Sequence, residues 1–237
     1  MKYIVANFKL NGDSQFLKQY CTDINNFVNN PQNMLISLPS AYLHFAEHFA
    51  RNSIAVGAQN ISEYTSGAYT GEISANMVVD LGATFTIIGH SERRHIFGET
   101  NQQIANKIQV ALNSGLKVIL CVGEKLEDKE NYKTIIANQL QSALENVDLG
   151  NIIIAYEPVW AIGTGEVATT EDIIRVHDFI KQYVLQHFNK NVAVLYGGSV
   201  KPSNSAEILA LNQVDGVLVG GASLKAKEFS DIYKSQF

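Results

Sequence analysis

The sequence predicts an α/β fold in which eight parallel strands close into a barrel, with helices packed around the outside. Eight short apolar runs recur along the 237 residues, and helix-like segments separate most of them. Continuously apolar strands need cover on both faces, which helices on a parallel sheet provide. No proline- or glycine-rich linker divides the chain, so a single domain over residues 1–237 is expected. An open, doubly wound sheet is the alternative arrangement of the same units.

The strands are predicted where β-branched and other apolar residues run together over an ordinary strand length. In chain order these runs are YIVANF (3–8), MLISL (34–38), IAVGA (54–58), FTIIG (85–89), KVILCV (117–122), IIIAY (152–156), VAVLY (192–196) and GVLVG (216–220).

Four longer segments are predicted to be helical because apolar residues return every three or four positions along them. These stripes are Phe16, Tyr20, Ile24, Phe27 and Val28; Ile104, Ile108, Ala111 and Leu112; Ile136, Leu140, Leu144 and Val147; and Ile173, Val176, Ile180, Tyr183 and Val184. Asp13 precedes the first stripe and Thr169 stands three residues before Asp172, so both are expected to cap helix N-termini. Shorter helical segments are expected after the second, third and eighth strands.

Composition excludes several classes of partner. The formal net charge is -5, whereas nucleic acids and anionic membranes demand a basic face. No apolar stretch approaches the roughly 18 residues that span a bilayer, and no leader pattern is visible, so a cytoplasmic protein is expected. Cys21 and Cys121 lie far apart and lack the spacing of a metal or redox site. We therefore expect two free thiols and no metal.

Unusual polar residues and glycine pairs follow the predicted strands at their carboxyl ends. They are Asn7 and Lys9 after the first strand, His90 after the fourth, Glu157 after the sixth, Gly197, Gly198 and Ser199 after the seventh, and Gly220 and Gly221 after the eighth. In a parallel barrel all these ends share one rim, where such folds build their active sites. The sequence therefore predicts an enzyme whose site draws on residues far apart in the chain.

Each of these features alone has a more ordinary interpretation. An isolated lysine is usually solvated, His90 could begin a charged surface helix, and a glycine pair is a common turn. Two glycine pairs after the last two strands are more telling, because barrels commonly bind phosphate there through bare backbone amides. In an acidic protein an anionic ligand must be held by such local donors.

Five motifs together resemble the triosephosphate isomerase family. They are ANFKLNG (6–12), IIGHSERR (87–94), AYEPVWAIGTG (155–165), YGGSV (196–200) and GVLVGGASL (216–224), and the resemblance runs from about residue 3 to residue 234. The departures from the family pattern are Ala6, Phe8, Leu10, Glu166 and Thr170. The resemblance implies a (β/α)8 TIM barrel.

The same resemblance implies a reaction and a set of roles. The reaction is the reversible conversion of dihydroxyacetone phosphate into D-glyceraldehyde 3-phosphate through an enediolate, in glycolysis and gluconeogenesis, without cofactor or metal. Glu157 is implied as the base and His90 as the electrophile. Lys9 is implied to supply positive charge to the developing oxyanion, and Asn7 to orient the substrate.

The resemblance also implies a movable cover and a partner. The apolar residues after Glu157 would close over the site, with Pro158 at one end and Gly163, Thr164 and Gly165 at the other. The phosphate would bind Gly163, Ser199, Gly220 and Gly221. A homodimer is implied by loop 66–71, SGAYTG, with Thr70 near its tip.

Several alternatives stay open on sequence alone. Another phosphate-binding barrel enzyme, acting on a larger sugar phosphate, would share the glycine pairs. A catalytically silent phosphate-binding scaffold would share the fold. Glu92 is either a neighbour of the site or a solvated surface residue, and Cys121 is better explained as a small core residue than as part of the site.

Overall fold

The computed structural model describes residues 1–50, 53–162 and 168–237. Its eight strands pair in parallel, each with the next, and β1 pairs with β8 to close the barrel. The strands are β1 Tyr3–Asn7, β2 Met34–Leu38, β3 Ala55–Ala58, β4 Phe85–Ile88, β5 Lys117–Val122, β6 Ile152–Tyr156, β7 Ala193–Tyr196 and β8 Gly216–Val219. The predicted (β/α)8 barrel is confirmed, and the open sheet is wrong.

Successive residues of each strand face opposite sides of the barrel wall. Val5 packs into the barrel interior, whereas its neighbours Ile4 and Ala6 join the larger core between strands and helices. The interior is filled by apolar side chains from all eight strands, including Phe85, Ile119 and Cys121. The barrel is therefore a packed core rather than a channel, and ligands can enter only at its rims.

Nine α-helices surround the strands in the described part of the chain. They are α1 Ser14–Phe27, α2 Ala46–Ala50, α3 Ala75–Asp80, α4 Ser91–His95, α5 Asn101–Asn113, α6 Tyr132–Leu144, α7 Thr170–Phe188, α8 Pro202–Ala210 and α9 Ala226–Lys234. The predicted N-caps are confirmed, because Asp13 accepts from the Phe16 amide at 2.8 Å and Thr169 from the Asp172 amide at 3.1 Å. Two stripe residues, Val28 and Val147, lie just beyond the ends of α1 and α6.

A close approach of two strand ends positions the backbone of the site. A β-carbon on Gly123 would lie only 1.8 Å from the Glu157 carbonyl oxygen, so this position after β5 requires glycine. The Gln139 side chain, on α6, holds Gly123 by bonding both its amide and its carbonyl. The chain leaving β6 is thereby packed tightly against the chain leaving β5.

Among residues 1–50, 53–162 and 168–237, no helix is long and apolar enough to cross a membrane. The same residues contain no cluster of three or more His, Cys, Asp or Glu side chains arranged to hold a metal ion. Cys21 and Cys121 are both buried, with free thiols.

Candidate active site

A cavity of about 460 Å³ opens at the carboxyl ends of the strands. It is lined by the predicted residues Asn7, Lys9, His90, Glu157, Gly197, Gly198, Ser199, Gly220 and Gly221, with Ile162, Val200, Lys201, Leu218, Ala222, Lys225 and Glu228. Every predicted site residue in the described part of the chain therefore lines one cavity. Gly163 lies outside the described residues, as do Thr164, Gly165 and Glu166.

His90 and Glu157 face each other at the base of this cavity. Nε2 of His90 lies 3.0 Å from Oε1 of Glu157, and their side chains are only 7% and 2% exposed. The second carboxylate oxygen, Oε2, accepts a hydrogen bond of 2.8 Å from the Ser91 amide. Both oxygens are thus held by donors in a buried setting, where electrostatic interactions are stronger than in water.

Local backbone structure fixes both side chains. Glu157 directly follows β6, and its amide donates to the Val122 carbonyl at 2.8 Å. His90 is the N-cap of α4, and its Nδ1 accepts a hydrogen bond of 3.2 Å from the Glu92 amide. Because Nδ1 accepts, the ring proton resides on Nε2, which points at Glu157.

Opposing effects act on the pKa values of the pair. Burial raises the pKa of the Glu157 carboxyl, but His90 and the Ser91 amide lower it more, so the net shift is downward. Burial lowers the pKa of His90, whereas the Glu157 carboxylate raises it, and the net shift is upward. The Glu92 amide opposes a proton on Nδ1. The geometry therefore fits an ionised carboxylate that accepts a hydrogen bond from Nε2 of His90.

Lys9 enters the cavity from an unusual backbone conformation. Its φ is 51°, in the left-handed region that costs a non-glycine residue roughly 1 kcal/mol or more. The Asn7 side chain accepts from the Lys9 amide at 3.0 Å and stabilises this turn. Nζ of Lys9 lies 2.5 Å from Oε1 of Glu92, so Glu92 is a neighbour of the site through its contact with Lys9.

Part of the cavity wall is formed by bare glycine backbone. A β-carbon on Gly198 would lie 2.2 Å from the Tyr196 hydroxyl, and one on Gly197 would lie 3.0 Å from Cγ of Glu157. A β-carbon on Gly221, by contrast, would meet nothing within 4 Å. Gly197 and Gly198 thus let strands and turns pack closely. Gly221 instead leaves space open beside the backbone where a ligand can approach.

Two polar residues near the site were not predicted from the sequence. Glu124 is buried after β5 and accepts hydrogen bonds from the Tyr156 hydroxyl at 2.9 Å and from Nε1 of Trp160 at 3.2 Å. Burial raises the pKa of Glu124, and these two donors lower it in part. Its place two residues beyond β5, at the same rim as Glu157, is a signal that could have identified it.

Arg94 is the second of these residues. Its guanidinium group donates to the Gly89 carbonyl, the Asn101 side chain and the Cys121 carbonyl at 2.7, 2.7 and 3.0 Å. It thereby ties the ends of β4 and β5 to the start of α5. An arginine in a charged stretch carries no sequence signal for such a role.

A closed parallel barrel with a buried histidine–carboxylate pair, a lysine and two glycine turns at one rim defines a class, the (β/α)8-barrel enzymes. Comparison with known proteins narrows the class. The sequence profile of the family described as Triosephosphate isomerase matches residues 2–236.

Individual relatives agree with the profile. The chain is 42% identical to the triosephosphate isomerase of Francisella philomiragia, over 98% of this chain and 95% of that one. It is also 42% identical to the Marinobacter nauticus triosephosphate isomerase, over 99% and 97%. A crystal structure of the Bartonella henselae triosephosphate isomerase superposes with a TM-score of 0.88 at 37% identity, covering 99% of this chain and 98% of that chain. The chain belongs to the triosephosphate isomerase family.

Proposed function

We propose that this protein interconverts dihydroxyacetone phosphate and D-glyceraldehyde 3-phosphate by proton transfer through an enediolate. One observation carries the proposal: His90 and Glu157 meet at 3.0 Å in a cavity that is also lined by the bare backbone of Gly220 and Gly221. A small substrate with a carbonyl and a phosphate fits a cavity that combines these two features. The proposed catalytic unit is the whole barrel, residues 1–237.

Glu157 acts as the base. Its carboxylate removes a proton from the carbon next to the carbonyl and returns it to the neighbouring carbon, so one carboxylate serves both steps. The carbonyl oxygen gains a proton and the adjacent hydroxyl loses one, which completes the isomerisation without an electron acceptor. No cofactor or metal is therefore part of the proposal.

His90 donates from Nε2 to the substrate oxygens where negative charge develops. When substrate oxygens take the place of the Glu157 carboxylate at Nε2, the cause of the upward shift in the His90 pKa is weakened. Burial and the Glu92 amide at Nδ1 then favour the neutral imidazole. The role rests on this donor geometry and on the family.

Lys9 supplies a fixed positive charge to the same oxygens, and Asn7 supports the Lys9 turn and orients the substrate. The phosphate binds at Ser199, Gly220 and Gly221, where amides stand in for basic side chains. Gly163, beyond the described residues, is proposed as a further amide donor on the family pattern. Trp160 and Ile162 form part of the cover over Glu157.

One experiment tests the reaction. The protein is incubated with dihydroxyacetone phosphate in deuterated water, and both aldehyde formation and carbon-bound deuterium are followed. Isomerisation with deuterium incorporation is the expected result. Absence of both with a folded protein would leave only a phosphate-binding scaffold, and turnover of a larger sugar phosphate in their place would favour the alternative barrel enzyme.

The proposed quaternary structure is a homodimer. A second groove, of about 410 Å³, runs beside Lys9 and is lined by exposed apolar side chains that include Leu10, Ile73 and Phe97. Leu10 is 96% exposed, which is unusual for a leucine next to an active site. We assign this groove to loop 66–71 of a second copy, with Thr70 entering it, because a two-fold axis would then cover both patches at once.

Sedimentation equilibrium tests the dimer. Thr70→Arg places a long charged side chain at the tip of loop 66–71 and should shift the protein towards monomer at concentrations where the wild type is dimeric. Thr22→Arg, on the exposed face of α1, is the control and should leave the mass unchanged. A monomeric wild type at micromolar concentration would contradict the proposal.

The cellular setting follows from the reaction. An enzyme that interconverts these two triose phosphates serves glycolysis and gluconeogenesis, and a cytoplasmic location is proposed on that basis. Fractionation of cells with an antibody to this chain tests the location.

A further inference from the structure

Trp160 is held on two sides by residues from the chain segment that follows β5. Glu124 accepts from the indole Nε1 at 3.2 Å, at the edge of the ring. Lys129 places its Nζ 4.3 Å from the ring centroid, over the face of the ring. Tryptophan is the aromatic residue that attracts cations most strongly, so the face contact is favourable.

The same Lys129 ammonium group also reaches the start of α7. Its Nζ lies 3.0 Å from Oδ2 of Asp172, whose side chain is only 13% exposed. The other oxygen of Asp172, Oδ1, is occupied by Arg175 at 2.6 Å. One cation therefore joins Trp160, which precedes residues 163–167 in the sequence, to Asp172, which follows them.

Trp160 is connected to the proposed base by a short, hydrogen-bonded stretch of backbone. Residues Val159–Ala161 form a 3-10 turn directly after Pro158, and the Ala161 amide donates to the Pro158 carbonyl at 2.8 Å. The Val159 amide donates to the Glu124 carbonyl at 3.0 Å. A displacement of the indole ring is thus passed to the backbone that carries Glu157.

We propose that Lys129 is a positioning residue for Glu157, acting through its simultaneous contacts with Trp160 and Asp172. The proposal rests on the function proposed above. Lys129 is one-third exposed, so its ion pair alone would contribute little. Its effect comes from joining two separate chain segments with one charge, and misplacement of a reacting group by about 1 Å is costly to catalysis.

The test compares Lys129→Met, which keeps the aliphatic stem and removes the charge, with Lys129→Arg, which keeps both contacts possible. Lys133→Met is the matched control, because Lys133 lies 6.0 Å from the rings of Tyr132 and Phe179 and lines no part of the cavity. The chain has a single tryptophan, so its fluorescence reports on Trp160 alone. Steady-state kinetics and thermal unfolding are measured on all four proteins.

Lys129→Met should shift the Trp160 emission, increase its quenching by iodide and lower kcat/KM about three- to tenfold, which matches the strength of a partly desolvated cation–π contact. Lys129→Arg should keep kcat/KM within about twofold of the wild type. Lys133→Met should change neither the Trp160 fluorescence nor kcat/KM. Wild-type kcat/KM in Lys129→Met, or an equal loss in Lys133→Met, would overturn the proposal. A wild type without isomerase activity would instead contradict the proposed function, and the fluorescence would still test the Trp160 contact.

Discussion

Nζ of Lys9 lies 2.5 Å from Oε1 of Glu92, although the two residues are 83 positions apart in the chain. Lys9 follows β1 and Glu92 lies in the first turn of α4, so the contact forms only when the barrel closes. The pair sets one charged group of each sign beside His90, whose Nδ1 lies 3.7 Å from the second Glu92 oxygen. Its two members should differ sharply in their importance for catalysis.

Lys9→Met should lower kcat/KM on the order of 10²- to 10³-fold, the usual loss when one donor to a developing oxyanion is removed. Glu92→Gln should cost less than about tenfold, because Glu92 contacts Lys9 and is not proposed to touch the substrate. Lys225→Met, which removes another lysine that lines the cavity, is the control for loss of a positive charge. Equal losses in Lys9→Met and Lys225→Met would refute a specific role for Lys9.

Glu157→Asp should lower kcat on the order of 10²-fold while the protein keeps its fold. The shorter side chain withdraws the carboxylate by one methylene, and a misplacement of about 1 Å has that effect on a reacting group. The Ser91 amide donates to Oε2 of Glu157. Because this donor belongs to the backbone, it cannot move to follow the shorter side chain. Circular dichroism and turnover are measured together. Unchanged turnover in a folded variant would show that Glu157 is not the base.

The fold and most of the site were accessible from sequence because strand ends in a parallel barrel must share a rim. Placing Asn7, Lys9, His90 and Glu157 after apolar runs was therefore enough to predict that they meet. The spacing of the motifs added the family. Neither the positions of the apolar runs nor the spacing of the motifs depends on the conformation of any side chain.

Other features depend on neighbours that sequence alone cannot supply. Lysine has no intrinsic preference for the left-handed conformation that Lys9 adopts. The hydrogen bond from the Lys9 amide to the Asn7 side chain stabilises it. The buried hydrogen bonds of Glu124 and Arg94 each join several elements, so no local pattern encodes them. Two predicted stripes also run past the ends of their helices, because Val28 and Val147 contribute to the hydrophobic core although α1 ends at Phe27 and α6 at Leu144.

Acid should destabilise the protein through His177. This side chain on α7 is fully buried, its Nδ1 lies 3.2 Å from the Gln213 carbonyl, and burial lowers its pKa from 6.5 to about 4. Gln213 and Asp215 raise this pKa in part, whereas Lys181 and Lys2 lower it. A folded-state pKa below the unfolded value means that the unfolded chain binds more protons between these two pH values. The contribution of neutral His177 to the free energy of unfolding is complete above pH 6.5 and is lost as pH falls to about 4.

The loss should be on the order of 3 kcal/mol, from the size of the pKa shift. His177→Asn keeps a donor for Gln213 but cannot titrate. Its free energy of unfolding should be lower than that of the wild type at pH 7 and should fall less between pH 7 and 4.5. Urea unfolding at a fixed protein concentration measures both. If the free energies of unfolding of the two proteins fell equally with pH, His177 would not contribute to acid sensitivity.

Alanine at Gly198 and at Gly221 should separate the packing role of the glycine pairs from their ligand role. Gly198→Ala forces the Tyr196 ring to move, since the new β-carbon would lie 2.2 Å from its hydroxyl and 2.5 Å from Cζ. Tyr196 is fully buried, so overpacking should cost about 1–3 kcal/mol of stability.

Gly221→Ala meets nothing within 4 Å and should change stability by less than about 0.5 kcal/mol. Its β-carbon would instead occupy space that the proposed phosphate site needs. Loss of a hydrogen bond to a charged group is worth about 1.5–3 kcal/mol, so KM and the inhibition constant of inorganic phosphate should both rise by roughly tenfold or more. Inhibition by phosphate provides a readout independent of turnover. If Gly221→Ala left both constants unchanged, the phosphate would have to bind elsewhere, because the substitution alters the lining of the cavity without disturbing the fold.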